Sequence, residues 1–183
     1  ETPVGNLTVS DDLRNEILAL SQERFVLLKQ SIDEQEHSGE LQYPMIAHCL
    51  KLAHKLHDIT ILPIMVGTLK TTDEIAIGAL LRPVIRRPDV LTIVSTDFCH
   101  WGAQYKYQPW DTSMPVYEFI AKLDRHGMEL IRLQEPGAFS AYLLETDTTI
   151  CGKHALSVWL RAVWSPPSGN RDHNNDDELL IDF

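Results

Sequence analysis

The chain has 183 residues, of which 44% are hydrophobic and 23% charged, and its net charge is −10. This length and apolar content fit one globular domain with a sizeable core, and they exclude intrinsic disorder, collagen and coiled coil as the main state. The acidic balance argues against nucleic acid as a partner because phosphates would be repelled, and no run of 18 apolar residues predicts a membrane span. The three cysteines, an odd number at wide spacing, predict free thiols in the reducing cytoplasm.

The first third of the chain predicts two helices and a strand. A serine followed by two aspartates at 10–12 predicts the start of a helix whose apolar stripe continues through Leu27. A second helix, with Ser38 as its N-cap, is predicted over 38–56 from apolar residues spaced by three and four. The almost wholly apolar run 59–66 predicts a strand that is buried on both faces.

Helices and a further strand alternate in the rest of the chain. A predicted helix over 72–85 precedes a second buried strand over 90–95, and a polar, aromatic loop follows that strand. Further helices are predicted over 115–123, 127–133, 136–144 and 152–164. Strands separated by helices indicate an α/β fold with a mainly parallel sheet. Residues 165–183 are rich in acids and predict a disordered acidic tail after a domain over 1–164.

The loop after the second predicted strand concentrates side chains that can do chemistry, in Asp97-Phe-Cys-His-Trp-Gly102. It begins at the carboxyl end of a buried strand, and this is the edge of an open α/β sheet at which ligands bind. His100 can act as a general acid or base near neutral pH or as a metal ligand, with Asp97 orienting it or joining it. A structural loop whose polar groups cap one another is the alternative.

Two further candidates lie elsewhere in the chain. Cys151 precedes the predicted helix 152–164, and the positive end of a helix dipole favours the thiolate, which is a nucleophile and a soft metal ligand. A small buried residue packed under the start of the helix is the alternative. His37 stands just before the predicted N-cap of the second helix, and capping leaves it free for a site. We interpret Cys49 and Cys99 as structural thiols.

Six segments together are typical of one known family. They are 1–7, Glu36-His-Ser-x-Glu-x-Gln-x-Pro44, 61–67, Ser95-Thr-Asp-Phe-Cys-His-Trp-Gly102, Leu123-Asp-x-x-Gly-Met128 and Thr149-Ile-Cys-Gly-Lys153. In this order they resemble the Memo family, whose members are named as mediators of cell motility downstream of a receptor tyrosine kinase. The resemblance covers 1–164. It implies a fold like that of the class III extradiol dioxygenases, a three-layer α/β sandwich around a mainly parallel central sheet.

The resemblance also implies a metal site. Family members bind copper or iron through two histidines and one cysteine, and the family cysteine falls on Cys151. The catalytic histidine of the dioxygenases falls on His100, with Asp97 beside it, and His37 lies in the motif of the neighbouring helix. Thiol and imidazole ligands suit copper or ferrous iron better than calcium or magnesium. The implied function is a cytosolic, metal-binding redox protein linked to cell motility and cytoskeletal signalling, or a nonheme metal-dependent dioxygenase-type enzyme.

A third implied function is an adaptor that binds a phosphotyrosine peptide of a receptor. Such a peptide needs a basic pocket, and the candidates for it are Lys106, Lys122, Arg125 and Lys153. Both histidine ligands of the family lie in Pro-His-Ala-Gly and Gly-Pro-Ser-His-His segments, which this sequence lacks. We therefore expect the chain to be the C-terminal portion of a Memo-like protein, with a domain incomplete at its N-terminus and no activity by itself.

Overall fold

The structure is a computed structural model that describes residues 2–165. The chain divides into two compact units, Glu1–Val66 and Gly67–Phe183. The predicted acidic tail, apart from its first residue, lies outside the described residues. Every helix within those residues is too short or too polar to cross a membrane.

The first unit combines helices with a small parallel sheet. Strand β1 (Thr8–Val9) pairs in parallel with strand β2 (Thr60–Ile61), and the pairing starts from the first residue of each strand. The helices are α1 (Asp11–Leu20), α2 (Gln30–Asp33) and α3 (His37–Leu52). The strand predicted over 59–66 is therefore reduced to two residues. The prediction that it is buried on both faces is wrong for the described structure, because the run lies at least partly exposed, with Ile59, Ile64 and Met65 more than 40% exposed.

Side-chain caps set the starts of α1 and α3. The Ser10 side chain accepts the Leu13 N–H at 3.2 Å, which confirms the predicted N-cap, but α1 ends before Leu27. Helix α3 is capped by Glu36 and not by Ser38, because the Glu36 carboxylate accepts the Ser38 N–H at 2.8 Å. This hydrogen bond is the main cause that lowers the pKa of Glu36.

The described part of the second unit is built from helices. They are α4 (Thr71–Ile85), α5 (Val116–Arg132), α6 (Pro136–Thr146) and α7 (Lys153–Val163), with a 3₁₀ turn at Ala103–Tyr105. Helix α5 is one continuous helix where two were predicted, and Gly127 is a buried residue within it. A β-carbon on Gly127 would lie 3.1 Å from the ring of Tyr142. The glycine therefore allows close packing and does not end a helix.

The core of the second unit forms where α5, α6 and α7 meet. Its buried side chains are Ile131, Phe139, Tyr142, Ile150, Leu156 and Leu160. Val94 and Phe98 pack against this cluster, whereas Leu91 is 85% exposed. The prediction of a buried strand over 90–95 is wrong for the described structure. Among the described residues this segment has no neighbouring strand to exchange backbone hydrogen bonds with.

The described residues thus form a mixed α/β structure, mostly helical, with a small parallel two-stranded sheet. The parallel pairing agrees with the predicted α/β class. The three-layer sandwich around a larger sheet, and the domain predicted over 1–164, stay predictions.

Helices α4 and α7 approach each other closely at Gly78. A β-carbon there would lie 2.8 Å from Cβ of Arg161 and 2.9 Å from the carbonyl oxygen of Val158. One turn earlier, the buried Glu74 has Oε1 2.8 Å from Nδ1 of His154, while its other oxygen lies 4.0 Å from Nε of Arg161. A carboxylate in the interior needs such partners because burial disfavours an unpaired charge.

We expect Gly78→Ala to lower the free energy of unfolding by about 1–3 kcal/mol, because the added methyl group must displace backbone of α7. Gly137→Ala in α6 is the matched control, since nothing lies within 4 Å of its β-carbon position. Alanine's helix propensity should leave that variant unchanged or more stable by about 0.5–1 kcal/mol. Urea unfolding followed by circular dichroism measures both, and equal effects at the two positions would contradict the close approach.

Candidate functional site

The site lies where the loop that follows Val94 crosses the loop that precedes α7. The His100 N–H donates to Oγ1 of Thr149 at 2.7 Å, and that hydroxyl donates to the His100 carbonyl at 2.8 Å. The Cys151 N–H donates to the Asp97 carbonyl at 3.3 Å, and the Asp97 N–H donates to Sγ of Cys151 at 3.1 Å. The structure therefore brings together three of the predicted site residues, which are Asp97, His100 and Cys151.

The start of α7 is joined to the same crossing by Gly152. Its N–H donates to Oγ1 of Thr96 at 3.0 Å. A β-carbon on Gly152 would lie 2.6 Å from the Thr96 side chain and 2.9 Å from the Ser95 carbonyl, so the approach of the two backbones requires glycine. The adjacent Cys151 is exposed, and it is not the small buried residue of the alternative interpretation.

The His100 ring is held at one nitrogen and faces an acid at the other. Its Nδ1 lies 2.9 Å from the Thr149 carbonyl oxygen. A carbonyl oxygen can only accept, so this contact assigns a hydrogen to Nδ1 and leaves the lone pair of the neutral ring on Nε2. Nε2 lies 3.6 Å from Oδ2 of Asp97. The arrangement can accept a proton at Nε2 beside a carboxylate and return it.

Asp124, a carboxylate that sequence patterns did not single out as a site residue, reaches this loop from α5. Its Oδ1 accepts the Cys99 N–H at 3.2 Å. Burial raises the pKa of Asp124, while the hydrogen bond from the Cys99 N–H and, less strongly, the electrostatic interaction with His100 lower it. Burial, followed by the Asp124 charge, raises the pKa of the Cys99 thiol. The sequence signal that could have found Asp124 is its spacing, three residues before Gly127 and seven before Ile131. This spacing places the acid on the helix face that the structure buries.

His37 belongs to the first unit. It is the first residue of α3, its side chain is 78% exposed, and Nδ1 lies 3.8 Å from Oε1 of Glu36. Asp97, His100 and Cys151 belong to the second unit. Of the four predicted site residues, the structure therefore brings together Asp97, His100 and Cys151 within one unit.

The described residues do not by themselves fit a copper or iron site. Among residues 2–165, no three side chains of histidine, cysteine, aspartate or glutamate are grouped so that they could hold a metal ion. Protein sites for such metals commonly use three or four ligands. The Cys151 sulfur instead accepts the Asp97 N–H, and it offers a single soft donor that solvent can reach.

We expect the three thiols to react with iodoacetamide in an order set by the exposure and the pKa of each thiol. Cys49 and Cys151 are exposed, which corrects the interpretation of Cys49 as a structural thiol, whereas Cys99 is partly buried and has a raised pKa. Cys99 should therefore be alkylated most slowly at neutral pH, because the thiolate is the reacting form. Peptide mapping by mass spectrometry over a time course measures the order. Alkylation of Cys99 as fast as that of Cys151 would contradict this arrangement.

The chain is similar to proteins of one family along most of its length. The sequence model described as Memo-like protein matches residues 1–166. The chain is 35% identical over 163 residues to the memo-1 homolog of Caenorhabditis elegans, an alignment that covers 88% of this chain and 45% of that protein. It is also 35% identical over 163 residues to the MEMO1 protein of Homo sapiens, covering 88% of this chain and 54% of that protein.

The MEMO1 protein of Xenopus tropicalis is 40% identical over 131 residues, which covers 71% of this chain and 43% of that protein. The chain thus spans about half the length of the curated relatives it matches. These matches confirm the resemblance drawn from the six sequence segments. The chain belongs to the Memo-like protein family.

Proposed function

We propose that this protein is a cytoplasmic, metal-binding redox protein linked to cell motility and cytoskeletal signalling, as the Memo resemblance implies. Cys151 is the metal ligand that we assign to this chain. The observation that carries the proposal is the exposed Cys151 thiol at the crossing of the two loops, one residue before the glycine that caps α7. Its free thiols are consistent with a reducing compartment.

The donor type favours copper or iron over calcium or magnesium, because thiolate is a soft ligand. Cys151 provides one such donor, and the described residues hold no set of three. The proposal therefore assigns the remaining ligands to none of the described residues. The parallel pairing of β1 with β2 is consistent with the three-layer α/β sandwich that we propose for the whole domain.

Metal analysis of the protein expressed from its complete gene tests this function. We expect copper or iron to be retained through purification in the wild type and largely lost in Cys151→Ala, because the substitution removes the soft donor. Cys49→Ala, which removes an exposed thiol of the first unit, is the matched control and should keep its metal. Inductively coupled plasma mass spectrometry gives the metal content of each. Equal content in wild type and Cys151→Ala would remove Cys151 from the site.

A second candidate function is a metal-dependent dioxygenase-type enzyme in which His100 transfers protons. The Thr149 carbonyl holds Nδ1 of His100, so Nε2 is the nitrogen that can exchange a proton, and Asp97 stands beside it. This pairing is the observation that favours the second candidate.

Catechol turnover by the iron-loaded protein tests the second candidate. We expect His100→Ala to lower kcat by about 10²-fold or more, the usual effect of removing a general acid or base. His48→Ala, at an exposed position in α3, should leave turnover unchanged. Oxygen consumption and the absorbance of the ring-cleaved product measure the rate. A wild-type protein that turns over no catechol when loaded with iron would exclude this function.

A further inference from the structure

Three backbone N–H groups of the loop after Val94 are held by side chains. The Asp97 N–H donates to Sγ of Cys151 at 3.1 Å. The Cys99 N–H donates to Oδ1 of Asp124 at 3.2 Å, and the His100 N–H donates to Oγ1 of Thr149 at 2.7 Å.

The acceptor of the Cys99 N–H comes from a different part of the chain than the other two acceptors. Cys151 and Thr149 both stand in the loop before α7, so they hold the two ends of the segment from one side. Asp124 stands in α5, and its acceptor oxygen reaches the middle of the segment from another element. The segment is therefore held by side chains from two separate parts of the chain.

The position of Asp124 in α5 is itself restrained. Gly127 and Ile131, on the same face of the helix, are buried, and the Tyr142 hydroxyl donates to the carbonyl of the preceding residue, Leu123, at 3.1 Å. The Asp124 carboxylate is therefore presented by a packed helix and not by a loop. A carboxylate placed there restrains the loop because its own backbone is fixed.

We propose that Asp124 is a positioning residue, whose hydrogen bond to the Cys99 backbone holds Asp97 and His100 in place beside Cys151. Asp124 does not act on a substrate or a metal. Its effect on metal binding depends on the proposed role of Cys151, whereas its effect on the loop does not depend on any metal.

Two substitutions separate the hydrogen bond from the charge. Asp124→Asn keeps an oxygen that can accept the Cys99 N–H, whereas Asp124→Ala removes the acceptor. Glu118→Gln, an exposed acid on the same helix, is the matched control. Amide hydrogen exchange, read residue by residue by NMR, is the measurement.

We expect Asp124→Ala to accelerate exchange at the amides of Asp97, Cys99 and His100 together by roughly fivefold or more, because one hydrogen bond no longer restrains the segment. Asp124→Asn and Glu118→Gln should exchange as the wild type does. A residue that merely accepts one hydrogen bond would change the Cys99 amide alone. Acceleration at Cys99 alone, or no acceleration at all, would overturn the positioning role.

Further measurements keep the result interpretable. If Asp124→Ala fails to fold, Asp124→Asn decides the question: exchange at the three amides that matches the wild type supports the hydrogen-bonding role, whereas acceleration at these amides would overturn it, because an acceptor oxygen is still present. If the wild type retains copper or iron, Asp124→Ala should lose several-fold more metal than Asp124→Asn. A wild type that holds no metal would contradict the proposed function and leave the exchange experiment to decide the role of Asp124.

Discussion

The close approach of α4 and α7 is the contact on which the position of the candidate site depends. Gly78 lets the two backbones come so near that a single β-carbon would meet the Val158 carbonyl at 2.9 Å. Helix α7 begins two residues after Cys151, so any shift of α7 along α4 would move the thiol with it. Packed protein interiors resist deformation, so the contact between α4 and α7 helps to determine where the exposed sulfur of Cys151 lies.

The same interface carries a buried charge. Glu74 is 6% exposed, and His154 and Arg161 of α7 approach its two carboxylate oxygens. Arg82 of α4 donates in turn to the Arg161 carbonyl at 2.9 Å. Apolar contact between helices tolerates small displacements, but a buried carboxylate loses its compensation when its partners move. These polar contacts thus favour one relative placement of α4 and α7.

Side chains provide the hydrogen bonds at the loop crossing that a strand ladder would otherwise provide. Asp124, Thr149 and Cys151 accept backbone N–H groups of the neighbouring loop. The Cys99 and His100 N–H groups are partly buried, and backbone donors away from water need such partners. Side chains that could take part in chemistry therefore also hold the backbone of the loop. A substitution in either loop changes the geometry of the site as well as its chemistry.

Local signals predicted the helices well. The predicted start of α1 agrees with the structure, although α1 ends at Leu20 and not near Leu27. The helices predicted over 72–85 and 152–164 correspond to α4 and α7 within one residue at each end. Each of these signals depends on residues within one turn or along one face of a helix, which are close together in the sequence. The positions after a predicted strand and before a predicted helix singled out Asp97, His100 and Cys151, the family motifs agreed, and the structure brings these residues together.

The incorrect predictions concern residues whose state depends on distant partners. Separate helices were predicted over 115–123 and 127–133, but Gly127 packs against the ring of Tyr142 inside one continuous helix, α5. The run around Leu91 has the composition of a buried strand, yet strand formation needs a neighbouring strand as well as apolar residues.

The sequence by itself determined the family, most helices and the residue types of the candidate site, because these depend on local patterns and on motifs. Only the tertiary structure decided that Asp124 reaches Cys99, 25 residues earlier, and that Nδ1 of His100 lies 2.9 Å from the Thr149 carbonyl oxygen. Both are contacts between segments far apart in the chain. Their existence depends on how α5 and α7 pack, and no local pattern contains that information.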